Sequence, residues 1–165
     1  MKMNTDHVDT ILAQWAKERP DIDSTPMAVT GRLAKVTHAV SQAQSRVFSE
    51  FGLNMGEFDV LATLLRSGSP YSLTPNQLLQ ALMLSSGAMT NRVDRLEAKA
   101  LVYRQADPND RRGVLVTLTA TGSDLINQVV VKHVDKGHGL LDPLTLDEQA
   151  LLARLLKKLL IAYER

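Results

Sequence analysis

A chain of 165 residues with 44% hydrophobic residues, 22% charged residues and a net charge of +1 has the composition of a single globular domain. The near-neutral balance excludes a polybasic binder, so any affinity for nucleic acid must come from a local cluster of cations, doubled by dimerisation. Zero cysteines exclude disulfides, thiolate metal sites and a thiol redox switch. With no signal peptide and no apolar run near 18 residues, the chain is expected in the cytoplasm, away from membranes.

Asp6 stands before a helical stretch at 6–19 whose Val8, Ile11, Leu12 and Trp15 share one stripe. Residues 20–26 have no internal period and read as a linker. Thr25-Pro26 then opens a long helix to about Phe51, with proline at the first helical position. Val29, Leu33, Val36, Val40, Ala43, Val47 and Phe51 make its expected buried face, and Gly52 is the left-handed residue that ends it.

Asn54 and Glu57 have capping-box spacing, and Phe58, Leu61, Ala62 and Leu65 follow as the core face of a helix that Ser67-Gly68-Ser69-Pro70 stops. Thr74-Pro75 starts a short helix through Leu82. After a tight connection at 83–85 a second helix begins, with Ser85 and Ser86 as cap candidates and Met89, Val93, Leu96 and Ala100 on one face. Two helices joined this closely predict a helix-turn-helix over 75–100.

The period then changes. Val102, Arg104 and Ala106 alternate with Leu101, Tyr103 and Gln105, as in a half-buried strand. Asp107 to Gly113 supplies turn formers and two adjacent arginines, and Val114, Val116 and Leu118 return as a second strand. Thr119 or Thr121 caps a helix carrying Leu125, Val129 and Val134, which Gly137, Gly139 and Pro143 are expected to break. Thr145 and Glu148 form another capping box. The final helix, 146–163, carries Leu151, Leu152, Leu155, Leu156, Leu159 and Leu160, an apolar face too broad for the surface of a small monomer. Such a face calls for a second subunit.

Enzymatic constellations are missing from the sequence. There is no phosphate-binding glycine loop and no serine in a nucleophile elbow. His133 and His138, five apart across an expected helix end, are poorly spaced for one metal. No catalysis, metal or cofactor is expected. A helix followed by a basic-tipped hairpin instead describes a winged helix. Ser86, Thr90, Asn91 and Arg95 lie on or near the outward flank of the second helix and are the candidates for a major groove, where arginine reads guanine and asparagine reads adenine. Arg111 and Arg112 suit the negative potential of a narrow minor groove. Asp110 faces phosphates there, so its expected role is to brace an arginine through a carboxylate–guanidinium pair. The competing reading of the hairpin is a merely solvated charged turn, and the competing function is a ligand-free winged-helix module that works by protein contact.

Arg92 lies beside the apolar stripe of its helix, and Arg104 shares a strand face with Val102 and Ala106. Arginines at apolar edges require an anion, from the protein or from a ligand. Asp59, next to core-facing Phe58, is the nearest internal candidate. From spacing alone a satisfied buried ion-pair network is the preferred reading, and Trp15 is ordinary core packing.

The block Asp-Arg-Arg-Gly-Val-Leu-Val-Thr-Leu-Thr at 110–119 resembles the wing of the MarR family of bacterial transcription regulators, and the likeness extends over nearly the whole chain. It implies an α+β, mostly helical fold, a winged helix-turn-helix with N- and C-terminal dimerisation helices. The domain layout implied is a single domain over 1–165, with a DNA-binding lobe at 54–119 and dimerisation helices at 1–51 and 120–165. The partners implied are double-stranded DNA and a second copy of the chain. By the same resemblance Arg112 is the minor-groove residue and Asp110 its brace. One branch of the family has an extra N-terminal helix and responds to urate through a Trp on that helix, an Asp on the first helix of the lobe, an Arg in the recognition helix and an Arg in the following strand. Trp15, Asp59, Arg92 and Arg104 match those four kinds of position. The function implied is a repressor released from a palindromic operator by urate or a similar small aromatic anion. A repressor tuned to a phenolic carboxylate is the alternative.

Overall fold

The computed structural model describes residues 5–82, 85–108 and 110–163, with Arg111 described by its backbone alone. Seven helices and three strands occur among these residues: α1 (His7–Glu18), α2 (Thr25–Glu50), α3 (Met55–Arg66), β1 (Ser72–Leu73), α4 (Pro75–Leu82), α5 (Ser86–Ala98), β2 (Val102–Asp107), β3 (Asp110–Leu118), α6 (Ala120–Leu141) and α7 (Leu146–Tyr163). The chain divides into two compact units, 1–43 and 44–165, with the boundary inside α2.

The first unit is held by its caps. Asp6 accepts the Val8 and Asp9 amides while Asp9 accepts the Asp6 amide, a reciprocal capping box on α1. Arg32 of α2 reaches both carboxylates, 2.7 Å to Asp6 and 2.6 Å to Asp9. Val8 packs on Gly31, where a Cβ would lie 3.4 Å from its Cγ1. The expected buried face of α2 is corrected here: Val29, Leu33 and Val36 are exposed, and only Val47 and Phe48 of this helix are buried. The apolar periodicity is present, but nothing among the described residues covers most of it.

The second unit holds one core, centred on the fully buried Phe48, Leu61, Leu64, Leu78, Leu96 and Ile126. Gly52 takes a φ of 68° after α2, and Asn54 and Glu57 make the expected capping box on α3. The inward face of α3 also includes Val60 and Leu64, while Ala62 and Leu65 are only partly buried. Phe48 and Phe58 stack at 4.2 Å, with the His133 ring against both, so this histidine is a packing element.

The antiparallel sheet has the order β1-β3-β2. β1 is too short to carry a period; it is fixed by pairing Ser72 with Thr117 and Leu73 with Val116. β2 pairs with β3 from Val102↔Leu118 to Asp107↔Asp110, so strand extends almost to the tip and Arg111, Arg112 and Gly113 belong to β3 rather than to a turn. Ala100 is also displaced from its expected place on the α5 face: it is exposed at a φ of 55°, leaving Met89, Val93 and Leu96 as that face.

Thr119 caps α6 by accepting the Gly122 amide. Gly122 is obligatory by close approach, since a Cβ there would sit 1.9 Å from the Leu101 carbonyl oxygen. Gly137 and Gly139 do not break α6, which runs on to Leu141. Each costs only about 1 kcal/mol against alanine, too little to interrupt a 22-residue helix before Pro143. α7 carries its capping box at Thr145 and Glu148, and none of its residues is buried. Leu151, Leu152, Leu155, Leu156, Leu159 and Leu160 all face solvent.

Candidate nucleic-acid interface

α4 and α5 form the helix-turn-helix, with the connection at 83–84 outside the described residues. Met89, Val93 and Leu96 anchor α5 on the core, which turns Ser86, Thr90, Asn91 and Arg95 to solvent. Ser85 occupies the N-cap position but makes no side-chain cap bond. The amides of the first turn therefore remain available to an anion such as a backbone phosphate. Thr90 Oγ1 donates to the Ser86 carbonyl at 3.1 Å.

At the hairpin, Asp110 Oδ1 accepts the main-chain N–H of Arg112 at 2.9 Å. Among the described residues Asp110 thus sets Arg112 through the backbone, whereas the carboxylate–guanidinium pair expected at this tip also concerns Arg111. Arg112 itself is exposed, at the rim of a cleft of about 380 Å³ between the N-terminus of α4 and the wing. The Arg111 side chain lies outside the described residues.

Arg92 and Arg104 have separate carboxylate partners, and Arg104, expected at a buried edge beside Val102 and Ala106, is exposed, as is Ala106. Arg92 lies across Gly56, where a Cβ would stand 2.5 Å from its Nε, and its nearest carboxylate oxygen, on Asp59, is 3.8 Å from Nη1. That is an ion pair without a hydrogen bond. Burial pushes the Asp59 carboxyl above its ordinary range, against the pull of Arg92, Arg66 and His133. Arg104 is better served. Its guanidinium donates to Asp94 at 2.5 Å and to Glu97, and its main-chain N–H donates to Glu97 at 3.1 Å. Partial burial works to lower its pKa, but the hydrogen bonds to Asp94 and Glu97 outweigh it and hold the charge on. Asp94 and Glu97 went unassigned from sequence, although a three-residue spacing places them on one helix face. Arg104 also edges a mostly apolar cleft of about 280 Å³ formed with Pro75, Met89, Thr90, Val93, Val114 and Val116. Trp15 belongs to the unit 1–43 and is 38% exposed, so it is not a core residue.

Among the described residues no cluster of histidine and carboxylate side chains is disposed to hold a metal, and no helix is long and apolar enough to cross a membrane.

Residues 51–113, covering α3 through most of the wing, match the sequence profile of the MarR family. The chain is 42% identical over 149 residues to the HTH-type transcriptional regulator PecS of Dickeya dadantii, covering 90% of each protein. The chain belongs to the MarR family. Its likeness to the multiple antibiotic resistance protein MarR of Escherichia coli is 35% over 133 residues, or 78% of this chain and 90% of MarR. The structure of a mutant of that MarR complexed with operator DNA superimposes with a TM-score of 0.71 at 34% identity, covering 84% of this chain and 99% of that one. As a MarR-family member the protein is a DNA-binding transcriptional regulator with a winged-helix fold, not an enzyme.

Proposed function

We propose that the protein is a homodimeric repressor that grips a roughly palindromic operator and lets go when a small aromatic anion, urate or a relative, binds at Arg92 and Arg104. In this reading Ser86, Thr90, Asn91 and Arg95 enter the major groove, while Arg111 and Arg112, set by Asp110, reach the minor groove. Residues 54–119 act as the DNA-binding lobe, and the helices at 1–51 and 120–165 build the dimer. The uncovered leucine face of α7 supports the dimer. Urate-type regulation is supported above all by the weakly satisfied Arg92, whose 3.8 Å pair with Asp59 leaves its donors open to an anion.

The switch lies at Arg104. It joins β2 to Asp94 and Glu97 of α5, so an anion competing for its guanidinium loosens the reading helix from the wing. This gives the ligand different affinities for gripping and released states, as coupling requires. A phenolic carboxylate is the second reading, favoured by the apolar cleft in which Arg104 is the charged group among the described lining residues.

The experiment is a gel-shift titration with urate and with a phenolic carboxylate, comparing wild type, Arg92→Ala and Arg104→Ala. A coupling of about 1–3 kcal/mol weakens DNA binding about 5–150-fold. Urate releases wild type, Arg92→Ala loses that response, and Arg104→Ala, which removes the link from β2 to α5, binds the operator more weakly from the outset and loses the response to both compounds. Equal release of Arg104→Ala and wild type sends the ligand elsewhere. No release of wild type by either compound at millimolar levels leaves the arginines structural.

A further inference from the structure

Glu57 does more than cap α3. Its side chain is 2% exposed, yet it is an acid in a helix whose other buried residues are uncharged. One oxygen accepts the Asn54 amide at 2.9 Å, which completes the capping box. Both oxygens also accept from Lys99 Nζ at 2.9 Å, and that ammonium donates in turn to the Gly52 carbonyl at 2.8 Å. Lys99 is the C-cap residue of α5. A capping box needs only a neutral glutamine at this position, so the buried charge is surplus to the cap.

The surplus acts on one further group. Arg95 Nε stands 3.7 Å from Glu57 Oε1, within ion-pair range but beyond a hydrogen bond, and the Arg95 side chain is 56% exposed. Oε1 therefore orients Nε by its field without capturing the guanidinium. With Nε turned toward Glu57, the terminal Nη pair is the edge left to the groove, and that edge reads guanine bidentately.

We infer that Glu57 is a specificity-determining positioning residue, which uses its buried carboxylate to fix Lys99 and aim Arg95 at a base rather than at a phosphate. The inference rests on Arg95 being a major-groove contact. Its physical content is a difference in sign. A freed Arg95 and an unneutralised Lys99 are two mobile cations next to a polyanion, so removing the carboxylate charge strengthens binding to any duplex while weakening discrimination. A residue that only supports the fold weakens both together or neither.

The test uses the full chain, a duplex selected from a random library for tightest binding, and an unselected duplex of equal length, each titrated across salt. Glu57→Gln keeps an acceptor for the Asn54 amide. It is expected to tighten binding to the unselected duplex, to steepen its salt slope by about one, and to cut the selected-to-unselected affinity ratio roughly tenfold. In an Arg95→Ala background the same change should leave the ratio unmoved. Lys99→Gln tests the link from the exposed side. Arg95 then becomes the sole cation for Glu57 and is drawn inward, so the ratio falls while unselected binding weakens. An unchanged ratio in both Glu57→Gln and Lys99→Gln overturns the inference, as does an equal drop with and without Arg95. A wild type that binds DNA with Arg95→Ala indistinguishable from it removes the Arg95 contact and the inference with it. A wild type with no salt-dependent DNA binding refutes the wider reading instead.

Discussion

Replacing Gly56 by alanine isolates the ligand response from stability. The new Cβ would lie 2.5 Å from Arg92 Nε and 2.6 Å from Cζ. Carbon contacts prefer about 3.5–4.0 Å, so the guanidinium must retreat by roughly 1 Å. It can do so, because the obstacle is a side chain and not backbone. Removing a helical glycine from the first turn of α3 gains up to about 0.5–1 kcal/mol. Losing the long Arg92–Asp59 pair, whose carboxylate is 38% exposed, costs about 0–1 kcal/mol. The two nearly cancel, so urea midpoints of wild type and Gly56→Ala should agree within about 1 kcal/mol. Release of DNA by urate should nevertheless disappear, removing a coupling of about 1–3 kcal/mol. The assay is a urate titration of the protein–DNA complex by fluorescence anisotropy. Release of Gly56→Ala at the wild-type urate midpoint refutes the placement of the ligand at Arg92.

Gly122→Ala meets a main-chain obstacle 1.9 Å away and should lower stability by about 1–3 kcal/mol or more in urea unfolding; a wild-type midpoint contradicts the close approach. Asp110→Ala frees the Arg112 amide and should weaken operator binding even though it removes a negative charge near DNA. Tighter binding there hands the wing to plain electrostatics. Asp59 is raised above 3.8, chiefly by burial, so the folded protein holds this proton to higher pH than the unfolded chain does. Its contribution to stability is present in full below that value and is lost as pH rises through the folded pKa; Asp59→Asn should flatten this fall, and parallel unfolding profiles through the carboxylate range discount the shift. Light scattering at micromolar concentration should return twice the 18.2 kDa chain mass, and Leu156→Glu should shift it toward one. A wild-type monomer excludes the dimer and the palindrome together.

Local chemistry made much of the fold legible. Asp6, Asn54, Thr74, Thr119 and Thr145 announce helix starts through hydrogen bonds within a few residues of themselves, and the structure places a helix after each. β1 was not legible, because two residues have no period and are defined by their partner strand. The glycines of α6 misled because a weak local preference is overridden by the length of the helix around it. Apolar periodicity in α2 and α7 marks a stripe but not whether the chain itself buries it, because burial depends on distant packing. At the site, Arg92 and its need for an anion could be read from the helix period, and Asp59 follows from its neighbour Phe58. The partners of Arg104 could not. Asp94 and Glu97 look like an exposed polar flank until the strand folds back on them.

On the groove contacts proposed above, that fold-back makes α5 and the hairpin a gauge. β2 is clamped to α5 through two carboxylates and one arginine, so the distance from helix to hairpin is fixed before any duplex arrives. Each added base pair advances DNA by about 3.4 Å and a tenth of a turn. One such step between the major-groove and minor-groove contacts in a half-site would therefore put one of them out of reach. Regulator and operator can then diverge by exchanging bases at fixed positions, whereas a change in spacing requires a new hinge in the protein.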